Sequence, residues 1–220
     1  MKTPREVYAA YKIMPTLQLH QLRVAAVAQL ICSSLNTEIN ERDVILACLF
    51  HDMGNIIKSD FSAFPDFCEP EGVAHWQGLK DEFVTKYGKE AHAANVSIAR
   101  EIGLPESVAA LIDGIKYSEM QTIIAGSSWE RKITEYADTR VGPYGVLAQL
   151  ERISEGKRRY DAGKVDGPRR YYSGSDFQNL LEVAQKLEDQ IFSQLSIAPT
   201  DINDASIAPF VEKLWEFPVA

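Results

Sequence analysis

The sequence predicts an all-α protein. Apolar residues recur at intervals of three and four in nearly every periodic segment, no run sustains the alternation of a strand, and Gly, Pro and capping residues fall between the segments. About eight or nine helices are expected along the 220 residues.

Pro4 suits the first turn of an opening helix that runs to about Ile13, because its missing N–H would be unpaired there in any case. Thr16 is the expected cap of a second helix, in which Leu17, Val24, Val27, Ile31 and Leu35 share an apolar side. His20 then sits on a buried helix rather than in a loop. Asn40, ahead of Glu41-Arg42-Asp43, caps a third helix that carries Val44, Ile45, Ala47, Cys48 and Leu49 toward His51 and stops near Gly54. Residues 55 to 72, with Pro65, Pro70 and several aromatics, read as an irregular segment passing the mouth of a site at the end of that helix. Helices follow at about 73 to 86, 89 to 102 and 105 to 115, with Gly88, Gly103 and Pro105 marking the breaks.

Ser128 caps the next helix, in which Ile133, Ala137 and Val141 are apolar and Asp138 projects inward. A helix through Val146, Leu147, Leu150 and Ile153 is expected to fade at Gly156. Residues 156 to 170 then form a basic loop holding six of the 23 basic residues and three glycines. Ser175 and Asp176 start a helix through Leu180, Leu181, Val183, Leu187 and Ile191, and a short tail helix around Pro209 to Trp215 packs on the body. The expected organisation is a single domain over 1–220, with a core at about 14–150, the basic loop at 156–170 and a C-terminal helical extension at 175–220.

With 31 acidic and 23 basic residues the formal charge is −8. That balance disfavours a general nucleic-acid binder or an anionic-membrane binder, since both need a broad positive surface. No stretch approaches the roughly 18 to 20 apolar residues of a membrane span and no apolar signal core opens the chain, so a soluble, cytoplasmic protein is expected. Cys32, Cys48 and Cys68 are odd in number and lack Cys-x-x-Cys spacing, which suits reduced, buried thiols rather than ligands or nucleophiles.

The chemistry concentrates in His20, the pair His51-Asp52 thirty-one residues later, and the distant Asp138. Imidazole and carboxylate are the side chains that bind a borderline or hard divalent cation. Adjacent helical residues point about 100° apart, so His51 and Asp52 can both reach an ion beside the last turn. Their contexts are Met14-Pro15-Thr16-Leu17-Gln18-Leu19-His20, Ala47-Cys48-Leu49-Phe50-His51-Asp52-Met53-Gly54-Asn55 and Glu135-Tyr136-Ala137-Asp138-Thr139-Arg140. In this order and context the four residues resemble the HD superfamily of metal-dependent phosphohydrolases, over roughly residues 14 to 150. The resemblance implies an HD-type helical bundle with additional C-terminal helices, and His20, His51, Asp52 and Asp138 as ligands of one divalent ion (Mn, Fe, Co, Ni, Zn or Mg). Asp52 would also orient a metal-activated water.

The implied reaction is hydrolysis of a phosphate ester of a small phosphorylated metabolite, with a nucleotide as the expected substrate. Arg23, three residues after His20, is positioned as a phosphate clamp. His92 falls where many family members carry a further histidine and is the expected proton donor or phosphate contact. Two-metal members carry another histidine some twenty residues later. Here that neighbourhood reads Ile112-Asp113-Gly114-Ile115-Lys116-Tyr117, and Asn55 replaces the usual lysine, which argues for one metal with Lys116 in place of a second cation. Asn55, Lys58, Lys116, Arg169 and Arg170 are the remaining expected substrate contacts, and Tyr160, Tyr171 and Tyr172 are candidates to stack on a base. Two other functions stay open: a di-iron oxygenase using His75 and His92, and a non-catalytic nucleotide-binding sensor. Homodimer formation would depend on how far the helix of Leu180, Leu187 and Ile191 is exposed.

Overall fold

The computed structural model describes residues 2–162 and 174–219. Among them are eleven α-helices, short 3-10 turns and no strand. The helices are α1 (Pro4–Ala10), α2 (Pro15–Ser34), α3 (Glu41–Phe50), α4 (Val73–Tyr87), α5 (Ala91–Ile102), α6 (Glu106–Gly114), α7 (Met120–Ala125), α8 (Trp129–Asp138), α9 (Gln149–Asp161), α10 (Gly174–Phe192) and α11 (Asp204–Leu214). The all-α expectation holds, and none of the helices is long and apolar enough to cross a membrane.

At the centre α2 packs on α3, and α8 lies against both. Val24, Ala25, Ala26, Val27 and Ala28 of α2 are fully buried, as are Val44 to Phe50 of α3. Alanines at such positions let backbones approach closely, while β-branched and aromatic side chains supply the buried area. α1 is pinned to this pair by Tyr8, whose buried hydroxyl donates to the Leu49 carbonyl at 2.6 Å.

The C-terminal helices belong to the same hydrophobic core, which runs from Val7 to Val219. α11 packs on α2 and α10 on α7, α8 and α9. Arg140, 2% exposed, fixes this arrangement. Its guanidinium donates to the Leu147 carbonyl, the Tyr136 hydroxyl, and the Pro199 and Ile202 carbonyls. Tyr136 in turn donates to Glu188 of α10 at 2.7 Å. Leu180, Leu187 and Ile191 are buried within the chain.

Several element boundaries differ from the sequence expectation. α2 begins at Pro15 with Met14 as its cap residue, so Thr16 lies inside the helix. Proline at the first position brings its own helical φ and makes a side-chain cap dispensable. α7 was not anticipated, since its six residues bury only Met120 and Ile123, too few for a periodic signal. α9 does not fade at Gly156 but continues through it to Asp161. Gly156 is buried, and Arg159–Glu155 and Lys157–Asp161 ion pairs four residues apart support the helix. The first residues of the expected basic loop are therefore helical, while 163–170, with Arg169 and Arg170, and also Tyr171 and Tyr172, lie outside the described residues. α11 starts at Asp204, capped by Asn203, with Pro209 inside it rather than near its start.

Candidate metal centre

His20 projects from α2, His51 is the C-terminal cap residue of α3, Asp52 follows it, and Asp138 ends α8. The three central helices thus deliver all four residues to one point. Donor atoms of His20, His51 and Asp52 lie within 4.8 Å of one another. Asp138 Oδ1 is 3.3 Å from both His20 Nε2 and His51 Nε2, and Asp52 Oδ2 is 3.6 and 3.7 Å from the same two nitrogens.

The protonation pattern shows what such a cluster needs. His51 Nδ1 lies 2.8 Å from the Cys48 carbonyl, which can only accept, so Nδ1 carries a proton. In the neutral ring the Nε2 lone pair then faces the Asp138 and Asp52 carboxylates. Acceptor confronts acceptor unless a proton or a cation lies between them. In the bare protein the proton does so: burial opposes a charged ring, but Asp52 and Asp138 outweigh it and push the His51 pKa up to about 9. Burial would likewise raise the Asp138 carboxyl, yet its hydrogen bonds to His20 and His51 hold it well below the usual range. Two imidazoles and two carboxylates converging in this way fit a divalent ion with mixed nitrogen and oxygen ligands.

Residues that sequence reasoning missed hold the His-Asp turn in place. Gln21 is fully buried, and its Oε1 accepts the Asp52 N–H at 3.2 Å. Asn95 of α5, 3% exposed, accepts the Gly54 N–H through Oδ1 at 2.6 Å. A Cβ on Gly54 would stand 2.6 Å from Ala94 Cβ and 3.0 Å from the Ala91 carbonyl oxygen, so only glycine lets α5 seat here. The signal available in the sequence was weak: a lone amide on an otherwise apolar helix face. Glu135, one turn before Asp138, is also buried, accepting the backbone N–H of Lys116.

The other expected residues are placed as follows. Arg23 lies one turn beyond His20 and pairs with Asp204 of α11 at 3.6 Å. His92, at the start of α5, sets Nε2 at 2.9 and 3.0 Å from the carbonyl and carboxylate of Asp113, so that nitrogen donates. Lys116 Nζ shares the same carboxylate at 3.5 Å. Asn55 and Lys58 bound a 3-10 turn directly after the His-Asp pair, with Lys58 exposed. His75 is exposed, its ring edge-on to Trp76 at 4.9 Å. Neither His75 nor His92 joins the converging donors among the described residues. Cys32, Cys48 and Cys68 are buried free thiols, and burial pushes the first up to about 12 and the second well above its ordinary value.

No curated protein and no solved structure matches the chain. A family model of the HD domain does match, over residues 18–139, a span that opens on the helix of His20 and closes one residue past Asp138. With more than half of its length inside that match and the histidines and aspartates meeting at one point, the chain belongs to the HD domain family.

Proposed function

We propose that this protein is a metal-dependent phosphohydrolase that cleaves a phosphate ester of a small metabolite. The observation that carries the reading is the facing of His51 Nε2 and His20 Nε2 onto Asp138 Oδ1, with Asp52 beside them. His20, His51, Asp52 and Asp138 would hold one divalent ion, which when bound polarises a phosphoryl oxygen and lowers the pKa of a nearby water.

The chain's own groups divide the remaining work. Cys48 fixes the His51 tautomer through Nδ1, which keeps Nε2 available as a ligand. Gln21 and Asn95 hold the backbone on either side of Met53, so Asp52 enters the site from a fixed turn and can orient the attacking water. Arg23 is the phosphate clamp in this reading: the Asp204 carboxylate occupies its guanidinium, and a substrate phosphate would compete for it. α5 rests on Gly54, which brings the helix start bearing His92 against the His-Asp turn. This supports His92 as proton donor to the leaving group, with Lys116, Lys58 and Asn55 as nearby anion contacts.

The test is phosphate release from nucleoside mono-, di- and triphosphates and sugar phosphates with Mn, Co, Ni or Mg added, comparing wild type with Asp52→Ala. Release that requires metal and disappears in the variant is expected. Silence across the panel, with the protein folded and its metal content confirmed, overturns the proposal.

A further inference from the structure

We propose that Phe67 and Tyr144 form the surface on which the base of a nucleotide substrate stacks, a reading that rests on the phosphohydrolase assignment above. Two stretches of chain leave the metal centre, one after Asp52 and one after Asp138. The first makes 3-10 turns at Asn55–Lys58 and Pro65–Cys68. The second turns back on itself where Val141 and Val146 bridge. They meet again at Phe67 and Tyr144, whose rings touch edge to face with centroids 5.6 Å apart, and Phe64 stacks on Phe67 at 5.2 Å.

The second stretch is also tied to the helix of His20. Asp204 accepts the Val146 N–H at 3.2 Å and pairs with Arg23, three residues beyond His20. Through Asp204, the loop that carries Tyr144 therefore adjoins the proposed phosphate clamp, and Phe67 stands beside it. A phosphate held at the ion and Arg23 leaves the organic part of the ester to reach these rings.

Tyr144 is 77% exposed, against 36% for Leu19 and 43% for Val73, the other exposed large apolar side chains among the described residues. The loop beneath it is nonetheless held. Gly142 N–H donates to the Gly145 carbonyl at 2.8 Å, and a Cβ on Gly145 would fall 2.5 Å from Asp204 Oδ2, so the backbone lies tight against that carboxylate. A water-exposed ring on a fixed loop, braced edge to face by a second ring from another segment, offers a base an apolar face that is restrained before the ligand arrives. Stacking reads the presence of a base more than its identity, since every base has a π-face.

The experiment uses isothermal calorimetry with Mn present. Its probes are the phosphonate analogues of adenosine 5′-monophosphate and ribose 5-phosphate, whose P–C bonds do not hydrolyse. Wild type is expected to bind the base-bearing probe about tenfold or more tightly, the range of one base–aromatic stack. Tyr144→Ala and Phe67→Ala each remove most of that preference, and Tyr144→Phe keeps it, with circular dichroism confirming the fold. Equal affinity for the two probes in wild type, or a preference that survives in both alanine variants, overturns the proposal. The underlying hydrolase reading is judged separately, by phosphate release: base preference without turnover on any metal removes the hydrolase and keeps the stacking surface, whereas turnover without base preference does the reverse.

Discussion

Glu135→Gln should reverse sign with pH. Glu135 is 1% exposed; it accepts the Lys116 backbone N–H, while its Oε2 has no hydrogen-bond partner among the described residues. Burial first, and then the negative charge of Asp138, pushes its carboxyl up to about 8 from an ordinary 4.5. The folded protein thus keeps a proton that the unfolded chain has already released. Its contribution is complete below about pH 4.5 and is lost as pH climbs through about 8. A shift of that size has an upper bound of about 5 kcal/mol at 1.4 kcal/mol per pH unit, which relaxation and water penetration reduce to about 2–3 kcal/mol. Glutamine keeps the shape and the acceptor for Lys116 but buries an NH2 with no partner, at a cost of about 1 kcal/mol. The variant should therefore be slightly less stable than wild type at pH 5 and more stable by about 1–2 kcal/mol at pH 9. Urea unfolding followed by tryptophan fluorescence from pH 5 to 9, with a chelator present, reads this directly. His51, raised to about 9, makes stability fall over the upper part of the same range in both proteins, and because its charge also acts on Glu135 the difference between the profiles reads the two as a coupled pair. Parallel profiles that never cross would refute the reasoning.

Gly54→Ala places a methyl 2.6 Å from Ala94 Cβ and 3.0 Å from a backbone oxygen, so α5 must move. A loss of about 1–3 kcal/mol is expected, seen as a Tm drop of roughly 2–10 °C, and an unchanged Tm would show that the contact is not tight. Gln21→Leu removes the acceptor of the Asp52 N–H; about tenfold weaker Mn binding by calorimetry is expected, and unaltered affinity in a folded variant would remove Gln21 from the positioning role. Arg140→Lys cannot reproduce four donations from one planar group. It should cost about 2–4 kcal/mol and speed hydrogen exchange across 195–214, so protection equal to wild type there would contradict the anchoring role.

Much of the helical plan was legible because it depends on local chemistry. Asn40 and Ser128 cap α3 and α8 as their side chains suggest, and Pro4 opens α1. Where the sequence misled, tertiary context was the reason. Gly156 normally weakens a helix, but a buried position and flanking ion pairs carry α9 past it. Thr16 is a good cap residue, yet Pro15 had already set the helical backbone one position earlier.

His20, His51, Asp52 and Asp138 were readable in the sequence as ligand-type residues in a recognisable order, because donor chemistry belongs to the side chain. That their atoms meet within 4.8 Å for three of them, and that Asp138 Oδ1 sits 3.3 Å from both imidazoles, follows only from the packing of α2, α3 and α8. The same holds for the supports. Gln21, Asn95, Gly54 and Glu135 look ordinary in the chain, and their roles exist only once helices distant in sequence are brought into contact. A side chain's capacity to bind is local, whereas its protonation, its partner and its room to move are set by neighbours that the fold supplies.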